Sequence, residues 1–248
     1  MRAAVLEAYD TPFVMAERAV PVPGPGEVRV RVAACGVCGS DRFLQQGGFG
    51  SVLPVVPGHE AAGWIDAPGP GVTGLSPGQP VALYYIAHCG KCRHCRAGRE
   101  NICLHVRRMG VDFDGAMADF VVLPAANCLP LPPGTDLAAA AVITDAIGTP
   151  LHALGRARVG PGDRVLVMGI GGIGSNAVQI ARHLGAEVIA ASRSAEALET
   201  ARRMGAHHTL VSDDDLAGRV ATLTAGEGVD AVIQCAPGAA AFGAARHL

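Results

Sequence analysis

Four cysteines fall within fifteen residues, Cys89, Cys92, Cys95 and Cys103, in the pattern C-x-x-C-x-x-C-x7-C inside HCGKCRHCRAGRENIC. Four thiolates on one short loop can close a tetrahedral shell around Zn²⁺, and a shell of four cysteines leaves no position open for chemistry. Disulfides are one competing reading. They belong to oxidising compartments, and the N-terminal stretch MRAAVLEAYDTPFVMAERAV is broken by Glu7, Asp10 and Glu17, so it has no continuous apolar core of a signal peptide. Buried free cysteines are the other reading, but these four stand among Gly, Lys, Arg and His rather than in apolar strands. A structural zinc site at Cys89, Cys92, Cys95 and Cys103 is expected, and catalysis must be sought elsewhere.

A second set of ligand-type residues is spread more widely: Cys38 in GVCGSD, His59 and Glu60 in PGHEAAG, and Asp145 far downstream. Thiolate, imidazole and carboxylate all bind zinc, and three protein ligands with one open position define a catalytic site. Each residue alone has an ordinary explanation. Cys38 could be a small buried hydrophobe, His59 a satisfied core histidine and Asp145 a turn residue.

A third signal is Gly169-Ile170-Gly171-Gly172-Ile173-Gly174. It follows the apolar run RVLVM and opens the helical stretch IGSNAVQIARHL, the context in which glycines let backbone approach a pyrophosphate at a helix N-terminus. An NAD site wants an acidic residue about 20 positions on, to bond the ribose hydroxyls. Here Ala190-Ala191-Ser192-Arg193-Ser194 stands there instead. No carboxylate repels a 2′-phosphate, and Arg193 could pair with one or could be a solvated cap of the next helix. The balance favours NADP(H), with NAD(H) as the alternative.

These residues must be held by two kinds of structure. The chain of 248 residues is 50% hydrophobic and 17% charged, enough for a sizeable core. Its net charge of −2 without a basic stripe argues against nucleic acid, and the longest apolar run, Leu137 to Leu154, is interrupted by Asp145 and Pro150, which argues against a membrane. A reducing, cytoplasmic setting is expected. The first half alternates short strands with Pro-Gly turns, giving strands at Glu27–Val32, Gly63–Ile65, Pro80–Leu83 and Ala118–Leu123. An Ala-rich helix follows from about Leu137. Strands at Arg164–Met168, Glu187–Ala191, Thr209–Val211 and Asp230–Gln234 then alternate with helices at Ile173–Leu184, Ala195–Met204 and Asp215–Leu223. That alternation predicts a doubly wound parallel sheet in an α/β fold. Only four of its usual six strands are visible, and Gly238–Leu248 reads as the start of a helix, so a truncated product or fragment is expected.

With these strings in hand, the chain resembles the zinc-dependent medium-chain dehydrogenase/reductase superfamily, the alcohol dehydrogenase family, over nearly its whole length. The order matches: cysteine ligand, G-H-E, four-cysteine lobe, third ligand, Rossmann glycines. The resemblance implies a β-rich GroES-like catalytic domain over residues 1–147, then a partial NAD(P)-binding Rossmann domain over 148–248. It implies that Cys38 and His59 hold a catalytic zinc, with Glu60 as an occasional ligand. The stretch ITDAIGTP is similar to the branch of secondary alcohol dehydrogenases that uses Asp where others use Cys, so Asp145 becomes the third ligand. That branch is commonly NADP-dependent, with a Ser-Arg pair matching Ser192-Arg193. The implied cofactors are two Zn²⁺ and the nucleotide bound at Gly169, Gly171, Gly172, Ile173, Gly174, Ser192 and Arg193. The implied activity is hydride transfer between that nucleotide and an alcohol, aldehyde or ketone.

Ser40 resembles the family's first relay hydroxyl, although a serine there could also simply cap the helix SDRFLQQ. Phe43 stands where many relatives carry the relay histidine, which leaves proton transfer to cofactor hydroxyls or water. His88, His94 and His105 read as bystanders of the lobe, and His152 as a pocket or helix residue. The resemblance also implies a homo-oligomer, dimer or tetramer, for a full-length form. Two other readings are a zinc-free quinone or enoyl reductase of the same superfamily, which the cysteines and His59 oppose, and a non-catalytic remnant that binds zinc or nucleotide.

Overall fold

The computed structural model describes residues 1–236 and residue 243, so the helix expected over Gly238–Leu248 lies, Gly243 apart, outside the described residues. By their contacts the residues fall into two units, Met1–Asp145 and Ala146–Leu248.

In the first unit β1 (Arg2–Val5) pairs antiparallel with β2 (Val14–Glu17). Strands β3 (Glu27–Gly36), β4 (Glu60–Pro68), β5 (Pro80–Leu83), β8 (Phe120–Pro124) and β9 (Cys128–Pro130) form a five-stranded antiparallel sheet in the order β8-β3-β4-β5-β9. A short ribbon of β6 (Ile86–Ala87) and β7 (Arg107–Arg108) closes the base of the cysteine loop. The alternation in EVRVRV does what its period requires: Val28 and Val30 are fully buried, whereas Arg31 is exposed. They join Ile65, Leu83 and Leu123 in the core of this unit.

Strand β3 outruns the sequence expectation by four residues, Ala33 to Gly36. Those residues are small and carry no alternation, so periodicity cannot find them. Pairing does: Ala34 stands opposite Ala62 and Gly36 opposite Glu60, after a register shift between Val32 and Ala34. The register therefore sets the start of α1 (Gly39–Gln45) beside the start of β4, two chain segments that both carry ligand-type residues. Helix α2 (Leu137–Ala140) packs its Leu137 and Ala140 against Ala62.

In the second unit β10 (Arg164–Met168), β11 (Glu187–Ser192), β12 (His208–Val211) and β13 (Ala231–Gln234) are all parallel, in the order β12-β11-β10-β13. Near-continuous apolar strands suit a sheet covered on both faces. One face, with Val165, Val167, Val188 and Ala190, packs against Leu154 of α3 (Gly148–Ala157), Val178 of α4 (Gly172–His183) and Ala201 of α5 (Ala195–Arg203). The other, with Leu166, Met168 and Ile189, packs against Leu216 and Val220 of α6 (Leu216–Leu223). Among the described residues no helix is long and apolar enough to cross a membrane.

Candidate functional site

The four lobe cysteines converge. Their sulfurs all lie within 4.8 Å of one another, with Cys92–Cys95 at 3.5 Å, Cys92–Cys103 at 3.9 Å and Cys89–Cys95 at 4.0 Å. A tetrahedral metal–sulfur distance of about 2.3 Å would place sulfurs about 3.8 Å apart, so the donor set fits Zn²⁺. All four thiols are unpaired. Backbone N–H groups already serve the sulfurs: those of Cys89 and His105 donate to Cys103 Sγ at 3.4 and 3.3 Å. Hydrogen bonds from the Cys95 and Leu104 backbone pull Cys92 down to about 5, whereas burial pushes Cys95 up to about 12. His88, His94 and His105 lie outside the four-donor group.

The second group forms around His59. Its approach runs through Gly58, whose φ of +99° is left-handed, and where a Cβ would sit 2.7 Å from the Met117 nitrogen. That turn delivers the imidazole to Cys38, at the N-cap of α1, and to Asp145, in a π-helical turn over Ile143–Ile147. One donor atom from each of Cys38, His59 and Asp145 lies within 4.8 Å of the others. Asp145 Oδ2 is 3.4 Å from His59 Nε2 and 3.8 Å from Cys38 Sγ. Tetrahedral coordination at ordinary zinc distances asks for about 3.3–3.6 Å, so these three also fit a metal. The wide π turn aims Asp145 inward, and Thr144, donating to the Leu83 carbonyl at 2.8 Å, ties that turn to β5.

The group is dense in negative charge. Burial alone would pull the His59 imidazole down, but hydrogen bonding to Asp145, Asp41 and Cys38 outweighs it and lifts the ring to about 12. Burial, then repulsion from Asp145, raises Glu60 to about 7. Glu60 is buried beside Asp145 but is not among the three clustered donors. Ser40 is close, its Oγ 3.7 Å from Cys38 Sγ. Phe43 is half exposed and stacks edge-on against Phe49 at 4.9 Å, with no polar role. His152 is an exposed residue of α3.

In the second unit the glycine run forms a cradle at the N-terminus of α4. Gly169 has φ +88°, and a Cβ on Gly174 would lie 1.9 Å from the Gly169 carbonyl oxygen. Around Gly171 and Gly172 the space is open, as a phosphate-bearing ligand requires. A cavity of about 320 Å³ begins there and reaches Ala191, Ser192, Arg193 and Ser212. Ser194, not Arg193, caps α5, accepting from the Ala197 N–H at 3.3 Å. Arg193 is exposed and makes no hydrogen bond or ion pair among the described residues.

Comparison with known proteins agrees with both halves. Residues 24–133 match the alcohol dehydrogenase GroES-like domain, and residues 172–247 match the zinc-binding dehydrogenase domain. The chain is 37% identical to an NAD-dependent alcohol dehydrogenase of Saccharolobus solfataricus, over 94% of its own length and 71% of the relative's. The chain belongs to the zinc-dependent alcohol dehydrogenase family. All of it superposes on 75% of the alcohol dehydrogenase of Aeropyrum pernix, with TM-score 0.95 and 33% identity. It likewise covers 73% of a zinc-binding dehydrogenase from Sinorhizobium meliloti bound to NADP, with TM-score 0.90 and 32% identity. Membership of that family makes the chain a zinc-binding oxidoreductase of the alcohol dehydrogenase type.

Two residues of this site were not singled out from sequence. Asp41, 3% exposed, places Oδ1 3.5 Å from His59 Nδ1 and accepts from the Cys38 N–H through Oδ2 at 2.8 Å. It therefore orients two of the three donors at once. Tyr85 lays its ring 5.4 Å from the His59 ring. Asp41 had a local signal, three residues after Cys38 at the start of a helix. Tyr85 had none.

Proposed function

We propose that Cys38, His59 and Asp145 hold the catalytic zinc, that Cys89, Cys92, Cys95 and Cys103 hold a second, structural one, and that the enzyme oxidises alcohols and reduces carbonyls with NADP(H). The observation that carries this is the convergence of three donor atoms, the outermost two 107 residues apart along the chain, with mutual distances that suit one ion. When bound, zinc supplies Lewis-acid polarisation of the substrate oxygen, and the nicotinamide supplies or accepts the hydride.

The protein does the rest. Neutral His59 with anionic Cys38 and Asp145 balances the charge of a divalent ion, while Asp41 keeps the ring and the cysteine backbone in place. Ser40 takes up the alcohol proton and passes it towards water or a cofactor hydroxyl, because Phe43 offers no onward acceptor. In the second unit the glycine cradle receives the pyrophosphate, and unpaired Arg193 with Ser192 and Ser212 receives the 2′-phosphate. Relatives divide on this point, one named as NAD-dependent and one bound to NADP, so the side chains at the end of β11 carry the preference for NADP(H). Eight unpaired cysteines suit a reducing cytoplasm, and the family resemblance favours a homo-oligomer.

Assay of alcohols, aldehydes and ketones with both nucleotides tests the reading. Turnover should favour NADP(H), Ser192→Asp should move preference towards NAD(H), and Cys38→Ser should lose turnover while remaining folded. A Cys38→Ser enzyme as active as the wild type refutes the metal assignment, and an unchanged preference in Ser192→Asp refutes the nucleotide assignment.

A further inference from the structure

Tyr85 borders the Cys38–His59–Asp145 group, two residues beyond the end of β5. Its ring is fixed on two sides: it packs against the core of the β-rich unit and lies tilted at 56° to the His59 ring. Its phenol is within electrostatic reach of Asp145, His59 and Cys38. Tyr85 is partly exposed, and its hydroxyl makes no hydrogen bond among the described residues. The contrast with Tyr9 is direct, since the Tyr9 hydroxyl donates to the Ser51 carbonyl. A tyrosine with a packed ring and an unspent polar tip is built to meet a partner from outside the chain. Near neutral pH that tip is a hydrogen-bond donor.

We propose that the Tyr85 hydroxyl donates a hydrogen bond to a second oxygen of the substrate, so that the site favours vicinal diols and α-hydroxycarbonyl compounds over monohydric alcohols. The inference rests on the reading that Cys38, His59 and Asp145 hold the metal that receives the reacting oxygen. The carbon next to the reacting one then carries its own hydroxyl towards Tyr85, and an alcohol without that hydroxyl leaves the phenol unsatisfied.

Tyr85→Phe removes only the O–H and keeps the ring beside His59. With propylene glycol the variant should lose about tenfold in kcat/KM, chiefly through KM, while isopropanol changes by less than about twofold. Zinc content and melting temperature should be unchanged. Calorimetric titration of the zinc-loaded protein with the same two alcohols should show the same selective loss of affinity. Equal losses on both alcohols, or an undiminished response to the diol, overturn the proposal. A protein that discriminates the two in calorimetry yet turns over neither supports Tyr85 and refutes the oxidoreductase reading instead.

Discussion

His59 meets a carboxylate at each ring nitrogen, Asp145 at Nε2 and Asp41 at Nδ1. In the metal-free chain a proton on this ring is the local cation, because hydrogen bonds to Asp145, Asp41 and Cys38 overcome burial and lift it to about 12. A divalent ion at the three donors takes over that role, and Asp41 then only orients the ring. Asp41→Asn should therefore weaken zinc binding by about 10–100-fold without unfolding the unit, as read by competition with a chelator of known affinity. The asparagine retains an oxygen for the Cys38 N–H, so a larger loss would mean that Asp41 does more than orient. Metal counting makes the companion prediction. Cys38→Ser and Cys95→Ser should each reduce zinc from two to one per chain, and each should lower the melting temperature of the first unit. The ligand types were legible in the strings GVCGSD and GHEAAG. The pairing of Asp41 with His59 was not, because it depends on which residues of β3 and β4 stand opposite each other.

The elements were legible where residues alternate or run apolar without a break. Strands Pro80–Leu83 and Arg164–Met168 begin and end where the sequence places them. The short β6–β7 ribbon was not legible, since two-residue strands carry no period and form only because their partners are near. The turn after β7 is pinned by Asp112, which accepts from the Arg108 guanidinium at 2.8 and 2.9 Å and from its N–H at 2.7 Å. The Arg108 guanidinium hydrogen bonds hold Asp112 below the usual carboxylate range. A depressed folded value gives stability that is full above the unfolded value, about 3.9, and is lost as pH falls through the lower folded one. Asp112→Asn should thus cost about 0.5 kcal/mol at neutral pH, the pair being partly exposed, and the two proteins should converge in strong acid. Melting curves across pH check this. The glycine cradle makes a sharper prediction. Gly174→Ala puts a methyl 1.9 Å from a backbone oxygen, so it should destabilise the second unit by about 1–3 kcal/mol and abolish NADPH binding, read by denaturant titration and nucleotide fluorescence.

At the level of the molecule, the two units have separate cores, one of Val28, Val30 and Leu83 and one of Val165, Val167 and Val188. Both candidate metal groups belong to the first. Metal binding free energy is folding free energy for the segment that supplies the ligands. Zinc removal should therefore speed amide exchange in residues 88–106 and around His59, and leave the exchange of β10 and β11 unchanged. Hydrogen exchange with and without a strong chelator measures this, and uniform acceleration across both units would contradict it. The amino-acid sequence by itself determined the donor types, the four-cysteine loop, the glycine cradle and the parallel sheet, because each is local or periodic along the chain. The family resemblance already grouped Cys38, His59 and Asp145; only the tertiary structure decided how they meet, with Asp41 behind the ring and Tyr85 beside it. That meeting depends on the Gly36–Glu60 register, the left-handed Gly58 and the π turn at Asp145. These are long-range pairings and single-residue backbone states, and neither leaves a periodic trace in the order of side chains.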